Sequence, residues 1–219
     1  DRSSENFAAL KQTAVNSGKN FWMSEVDNGN LAGTNAKNMG AGLSLAVNIL
    51  EDMNSMQPSA WVMWDILDKH KDAEFVAPNG TNSEANTSNA QHIGTWGVGM
   101  VNHDTKEIEL TQKYYVYGQF TKYINPGDTI IASSPTTLAA YNKDTGAIKI
   151  VAVNTTGDTQ NYRFDLSAFS QTGTSAKIIR TSGSFTDGEH WKDVGTAEVK
   201  DGKFRFDLPA NSVTTFVID

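Results

Sequence analysis

Two short stretches place reactive side chains at the ends of apolar runs. "NFWMSEVDNG" (20–29) closes on Glu25 and Asp27, and "SAWVMWDIL" (59–67) carries Trp64 and Asp65. In a parallel barrel or open sheet, functional side chains sit at the C-terminal ends of the strands. Side chains alternate along a strand, so Glu25 and Asp27 are expected on one face and Ser24 and Val26 on the other. Trp64 ends the next apolar run at nearly the same level as Glu25. A carboxylate beside an indole suits sugar chemistry: the indole stacks on the C–H face of a pyranose ring, and the carboxylate attacks or stabilises the anomeric carbon. The same positions also suit a surface or ion-paired acid and a core tryptophan. Trp96 is a further aromatic that could line the same region. His70 and His92 lack metal-ligand spacing. His103 and Asp104 share the polar turn "NHDTKE", and the glycines of "WGVGMV" do not form a phosphate-loop pattern.

The elements that must position these residues differ between the two halves of the chain. "NFAALKQTAVNSG" reads as the end of a helix with Gly18 as its C-cap. "KNFWMSEV" barely alternates and reads as a strand buried on both faces. "TNAKNMGAGLSLAVNILEDMNSM" reads as a helix capped by Thr34 or Asn35, with Met39, Leu43, Ala46, Leu50 and Met53 on one stripe. Ser59 to Leu67 reads as one strand, "TWGVGMVN" as a short extended piece, and "TQKYYVYGQFTKYI" as a helix with Tyr117, Phe120 and Ile124 inward. Helices alternating with strands argue for parallel strands joined by crossover helices. The polar segment from Lys69 to His92 is too long for a mere connector. After "NPGDT" (125–129) the pattern becomes all-strand. A hairpin turns at Asn142 to Gly146, Asp201-Gly202 is a second hairpin signal, and seven or eight short strands suggest an antiparallel sandwich. The expected organisation is 1–127 as an α/β unit and 128–219 as an all-β unit.

Bulk properties narrow the function class. A net charge of −7 argues against nucleic acid or an anionic membrane as partner, since both need a basic face. Without cysteine there is no disulfide framework, thiolate nucleophile or thiolate metal site. No apolar run approaches the ~20 residues of a membrane span. Sequons occur at Asn79, Asn86 and Asn154 and are read as chance matches in an Asn-, Ser- and Thr-rich chain.

Four stretches together resemble family 30 of the clan A glycoside hydrolases. "FWMSEVDNG" resembles the family's nucleophile strand, the seventh of a (β/α)8 barrel, which typically ends Trp-x-Ser-Glu. "SAWVMWDIL" resembles the eighth strand, where an aromatic closes the floor of the subsite next to the cleaved bond. "KYYVYGQFTKYINPGDTII" resembles the last barrel helix and the exit into a side β-domain. "LPANSVTTFVI" resembles that domain's closing strand. The resemblance implies the last strands and helices of a (β/α)8 barrel (strands seven and eight) followed by an antiparallel β-sandwich. Glu25 matches the nucleophile and Trp64 the stacking aromatic. Tyr114, Gly118, Gln119, Phe120 and Pro126 match structural positions. Asp65 stands where many relatives have Gln. Beyond Lys69 and Lys71, the loop after strand eight lacks the basic cluster of glucuronate-reading members, which counts against acidic xylan.

The implied activity is retaining hydrolysis of a β-linked galactan, glucan or xylan, outside the cell or at its surface, without cofactor or metal. Galactan or glucan is preferred from "SEVDNG" and Asp65. Retention needs a second carboxyl ~5–5.5 Å away. In this family it ends barrel strand four in an Asn-Glu, and no strand here ends that way. The expectation is therefore a C-terminal portion of a longer enzyme, inactive alone, whose partners are a β-glycan and its own upstream portion or neighbouring molecules. The competing expectation is a non-catalytic carbohydrate-binding or structural module built on the sandwich.

Overall fold

The computed structural model describes residues 3–26, 38–69, 97–101 and 105–219. The chain forms two compact units, Asp1–Tyr114 and Tyr115–Asp219.

The first unit opens with helix α1 (Ser4–Ser17). Ser3 caps it by accepting the Asn6 N–H at 3.2 Å, and Gly18 ends it in the left-handed region at φ 62°. Strand β1 (Trp22–Val26), helix α2 (Met39–Ser55) and strand β2 (Ala60–Met63) follow, with β1 and β2 parallel. A helix between two paired parallel strands is the crossover that the alternating pattern implied. The expected stripe of α2 is buried at Met39, Leu43, Ala46 and Leu50, and Ala41, Leu45 and Ile49 widen it. Thr34 and Asn35, the expected caps, lie outside the described residues. The helix starts at Met39 behind Asn38, whose side chain makes no capping bond.

Two further expectations for this unit are corrected. Ser59 to Leu67 is not one strand. β2 stops at Met63, a cis peptide joins Trp64 to Asp65, and β3 (Leu67–Lys69) pairs elsewhere. The carbonyls of Asp65 and Ile66 accept the N–H groups of Val98 and Gly99 at 3.2 and 2.9 Å, which draws the chain away from β1. There it joins β4 (Gly99–Val101) in parallel, and β4 pairs antiparallel with β5 (Ile108–Leu110), a strand with no clear sequence signal. Nor is β1 buried on both faces. Trp22, Ser24 and Glu25 are exposed, because among the described residues only β2 pairs with β1 and only one face of the pair is covered.

Helix α3 (Gln112–Thr121) runs into the second unit. Its most buried positions there are Val116, Gln119 and Phe120, while Tyr117 and Ile124 of the expected inner face are only partly buried. Eight strands follow: β6 (Thr129–Ile131), β7 (Thr137–Tyr141), β8 (Ile148–Asn154), β9 (Gln160–Asp165), β10 (Ser175–Ser182), β11 (Glu189–Glu198), β12 (Lys203–Leu208) and β13 (Ser212–Ile218). Six form an antiparallel sheet in the order β11-β10-β13-β8-β7-β6, and β12 and β9 form a second layer. Alternating residues of both layers meet in one core. Ile148, Ile150, Ile178, Phe216 and Ile218 come from the large sheet, and Phe164, Phe204 and Leu208 from the small one. The Phe164 ring lies 4.5 Å from Phe204 and 4.8 Å from Phe216, centroid to centroid, closing the seam. This is the expected antiparallel sandwich.

Its turns follow their sequence chemistry with one exception. Asn142 Oδ1 accepts the N–H groups of Asp144 and Thr145, and Gly146 takes φ 79°. In "NPGDT" the enclosed Asp128 carboxylate accepts from the Asn125 N–H, Asn142 Nδ2 and Lys149 Nζ at 2.7–2.8 Å. Asp201-Gly202 has the positive φ angles of a tight turn, but β11 and β12 lie in different sheets. Only Lys200 and Lys203 bridge across it, so it is a corner between layers and not a hairpin.

Candidate functional site

The β1–β2 pair assembles the candidate site. Trp22 pairs with Ala60 and Met23 with Trp61, then the register shifts, and Val26 pairs with Met63. Two residues, Ser24 and Glu25, thus face a single residue, Val62. This is a β-bulge, the device that re-aims a side chain within a ladder. Met23 and Val26, three apart, both lie on the covered side with Trp61 and Met63; Val26 and Met63 are 7% and 5% exposed. Ser24 and Glu25 both lie on the open side with Val62. Strict alternation, which placed Ser24 with Val26, fails here because the bulge inserts one residue between them.

On the open side Glu25 stands next to the end of β2. The Trp64 N–H donates to the Val26 carbonyl at 2.9 Å, which holds Trp64 just past the end of β2, two residues beyond the Val62 that faces Glu25. Trp64 is 44% exposed and Trp22, lower on the same face, is 66% exposed. Among the described residues no hydrogen bond or ion pair holds the Glu25 carboxylate. An exposed carboxylate beside an exposed indole, both backed by a packed strand pair, can present an oxygen to the edge of a ring that rests on the indole.

The covered side is tied to α2. Asp52 of α2 is fully buried and accepts the Trp61 Nε1–H at 2.8 Å. Neither residue carried a sequence signal, because an acid on an otherwise apolar helix stripe and a tryptophan within an apolar run have no motif spacing. Asp65 follows Trp64 and is half-buried. Asp27, Trp96, His70, His92, His103 and Asp104 lie outside the described residues. Among the described residues no group of three or more His, Asp or Glu could hold a metal ion.

No family model matches the chain. An endo-β-1,6-galactanase of Hypocrea rufa is 24% identical over 212 residues, covering 95% of this chain and 37% of that protein. A family 30 subfamily 8 xylanase from Clostridium acetobutylicum superimposes with a TM-score of 0.64 at 26% identity, over 94% of this chain and 44% of the xylanase. A family 30 endoxylanase from Clostridium papyrosolvens gives a TM-score of 0.65 at 22% identity, over 98% of this chain and 46% of the other. The chain resembles the family 30 glycoside hydrolases. It spans less than half the length of each of these three proteins. The alignments run through both units, so the resemblance does not rest on the sandwich alone.

Proposed function

We propose that this chain is the C-terminal part of a retaining β-glycan hydrolase of the family 30 kind. In this reading residues 1–127 are the last part of a (β/α)8 barrel, with β1 and β2 as its seventh and eighth strands, and residues 128–219 are the side β-domain. Glu25 is the nucleophile and Trp64 the stacking platform, with Asp27, Asp65 and Trp96 as further substrate contacts. The observation that carries the proposal is the bulge that turns Glu25 to the open face beside Trp64, at the C-terminal end of a parallel strand pair.

The mechanism is a double displacement. The ionised Glu25 carboxylate attacks the anomeric carbon as an upstream carboxylic acid protonates the departing glycosidic oxygen. The same upstream group, now a carboxylate, then takes a proton from water, and that water displaces Glu25 from the sugar. The favoured substrate is a β-1,6-linked galactan, on the strength of "SEVDNG" and the galactanase likeness, with glucan and xylan as the other members of the class. A polysaccharide substrate is met outside the cell or at its surface. Among the described residues no helix is long and apolar enough to cross a membrane.

The test uses the intact enzyme. Glu25→Gln is expected to lower kcat by about a thousandfold or more, because a covalent nucleophile is lost. Near wild-type turnover would remove Glu25 from the role. The isolated 219-residue chain is expected to release no sugar from β-1,6-galactan. Release without the upstream portion would contradict the divided site.

A further inference from the structure

We propose that Asp52 is a positioning residue for Glu25, an inference that rests on the nucleophile reading above. Asp52 is an ionisable side chain with no exposed surface, set in the last turn of α2 and bonded to Trp61 Nε1 at 2.8 Å. A buried carboxylate is costly to desolvate, and a well-packed apolar side chain in its place is often as stabilising or more so. Its specific contribution is therefore geometric, since an apolar side chain could fill the space but could not fix the indole's orientation.

The place it fixes is the start of the bulge. Trp61 pairs with Met23, the last regular pair before the register shifts, and the next residue on β2, Val62, faces Ser24 and Glu25 together. If Trp61 slides or rotates, the strand can relax into an unbulged register that sets Glu25 opposite Met63 and turns it to the covered face. Asp52 holds Trp61 from the covered side and so holds Glu25 on the open side, without touching substrate.

The experiment uses the intact enzyme and the 2-deoxy-2-fluoro glycoside of the sugar it hydrolyses, which accumulates the covalent intermediate. Wild type, Asp52→Ala, Asp52→Asn and Trp61→Phe are compared by labelling rate, by peptide mapping of the labelled residue, by kcat per titrated site and by Tm. Asp52→Ala and Trp61→Phe are each expected to slow labelling of Glu25 and lower kcat per site about tenfold or more, as misplacement of a reacting group does. KM is expected to stay nearly constant. Asp52→Asn keeps an acceptor for the indole N–H and is expected to stay within about threefold of wild type. The double variant is expected to fall no further than either single one, because both remove the same bond. Labelling of Glu25 at the wild-type rate in Asp52→Ala, with only Tm lowered, overturns the positioning role. If Asp52→Ala does not fold, Trp61→Phe decides by the same criterion. Label on a residue other than Glu25 overturns the nucleophile reading itself, and the positioning role with it.

Discussion

Asn154 shows how a residue can carry a motif and have no room to use it. It begins the sequon "NTT", yet it is 2% exposed. Its Nδ2 lies within 2.8–3.1 Å of the carbonyls of Asp158, Leu208 and Pro209, and its Oδ1 accepts from the N–H and hydroxyl of Thr156. A glycan would need the same nitrogen. Asn154→Ala strands several buried carbonyls and is expected to lower stability by about 2–4 kcal/mol, measured by denaturant unfolding. Glu189 supports a pH prediction at the same scale. The Arg180 guanidinium pairs with it, through Nε and through Nη2 at 2.8 Å, and Ser182 and Lys192 add further bonds. The Arg180 bonds lead the forces that hold its carboxyl at about 2, below its ordinary 4.5, against the opposing effect of burial. A depressed folded value means stability that is present above the unfolded pKa and is lost as pH falls toward the folded one. Acid unfolding followed from pH 4.5 to 2 is therefore expected to be shallower in Glu189→Gln, which also starts less stable at neutral pH.

Helix α3 and the strands around it show what sequence can and cannot declare about an element. The run "YVYGQF" marks a structural helix, but the reason for its glycine lies 73 residues downstream. A Cβ at Gly118 would overlap the indole of Trp191, which is pinned by its Nε1–H to the Tyr115 carbonyl at 2.7 Å and covered by Lys122 Nζ at 3.9 Å from the ring. Gly118→Ala gains helix propensity yet is expected to destabilise by about 1–3 kcal/mol net, seen as a lower Tm, because the pinned ring must move. Gln119 is likewise long-range: its Nε2 donates to Thr181 Oγ1 at 2.8 Å and its Oε1 accepts from Thr215 Oγ1 at 2.6 Å. Elements with strong local patterns, such as α1 with Gly18, the stripe of α2 and the hairpin at Asn142, were legible because turns and amphipathic faces are local properties. Three features were not. The bulge in β1 depends on which residue of a partner strand lies opposite. The break after Met63 depends on a competing strand, β4. The corner at Asp201 depends on which layer each flanking strand joins. Glu25 and Trp64 were legible as a pair because parallel strands present their ends together, whereas Asp52 was hidden because burial of a single acid leaves no period.

At the scale of the whole molecule, protection should follow how each strand is satisfied. β8 and β13 sit in the middle of a six-stranded ladder and are almost wholly buried, whereas β1 has one paired edge among the described residues and three exposed side chains out of five. In native-state hydrogen exchange the amides of β8 and β13 are expected to be the slowest of the chain and those of β1 much faster. Slow exchange in β1 equal to that of β13 would show its open side covered in the isolated chain. The exposed Trp22, Val62, Trp64 and Ile66 lie along this region as apolar surface.

The two-against-one count at Ser24 and Glu25 also has an evolutionary consequence. A regular strand cannot lose or gain one residue without turning every later side chain to the wrong face, so selection tolerates single-residue indels poorly there. A bulged strand has already absorbed one. Removing Ser24 would leave Met23 and Val26 inward and Glu25 outward, changing only the height at which the carboxylate stands. Among divergent homologues, this point in β1 is where a one-residue gap inside a strand is expected, and where such a gap would shift the depth of the site without abolishing it.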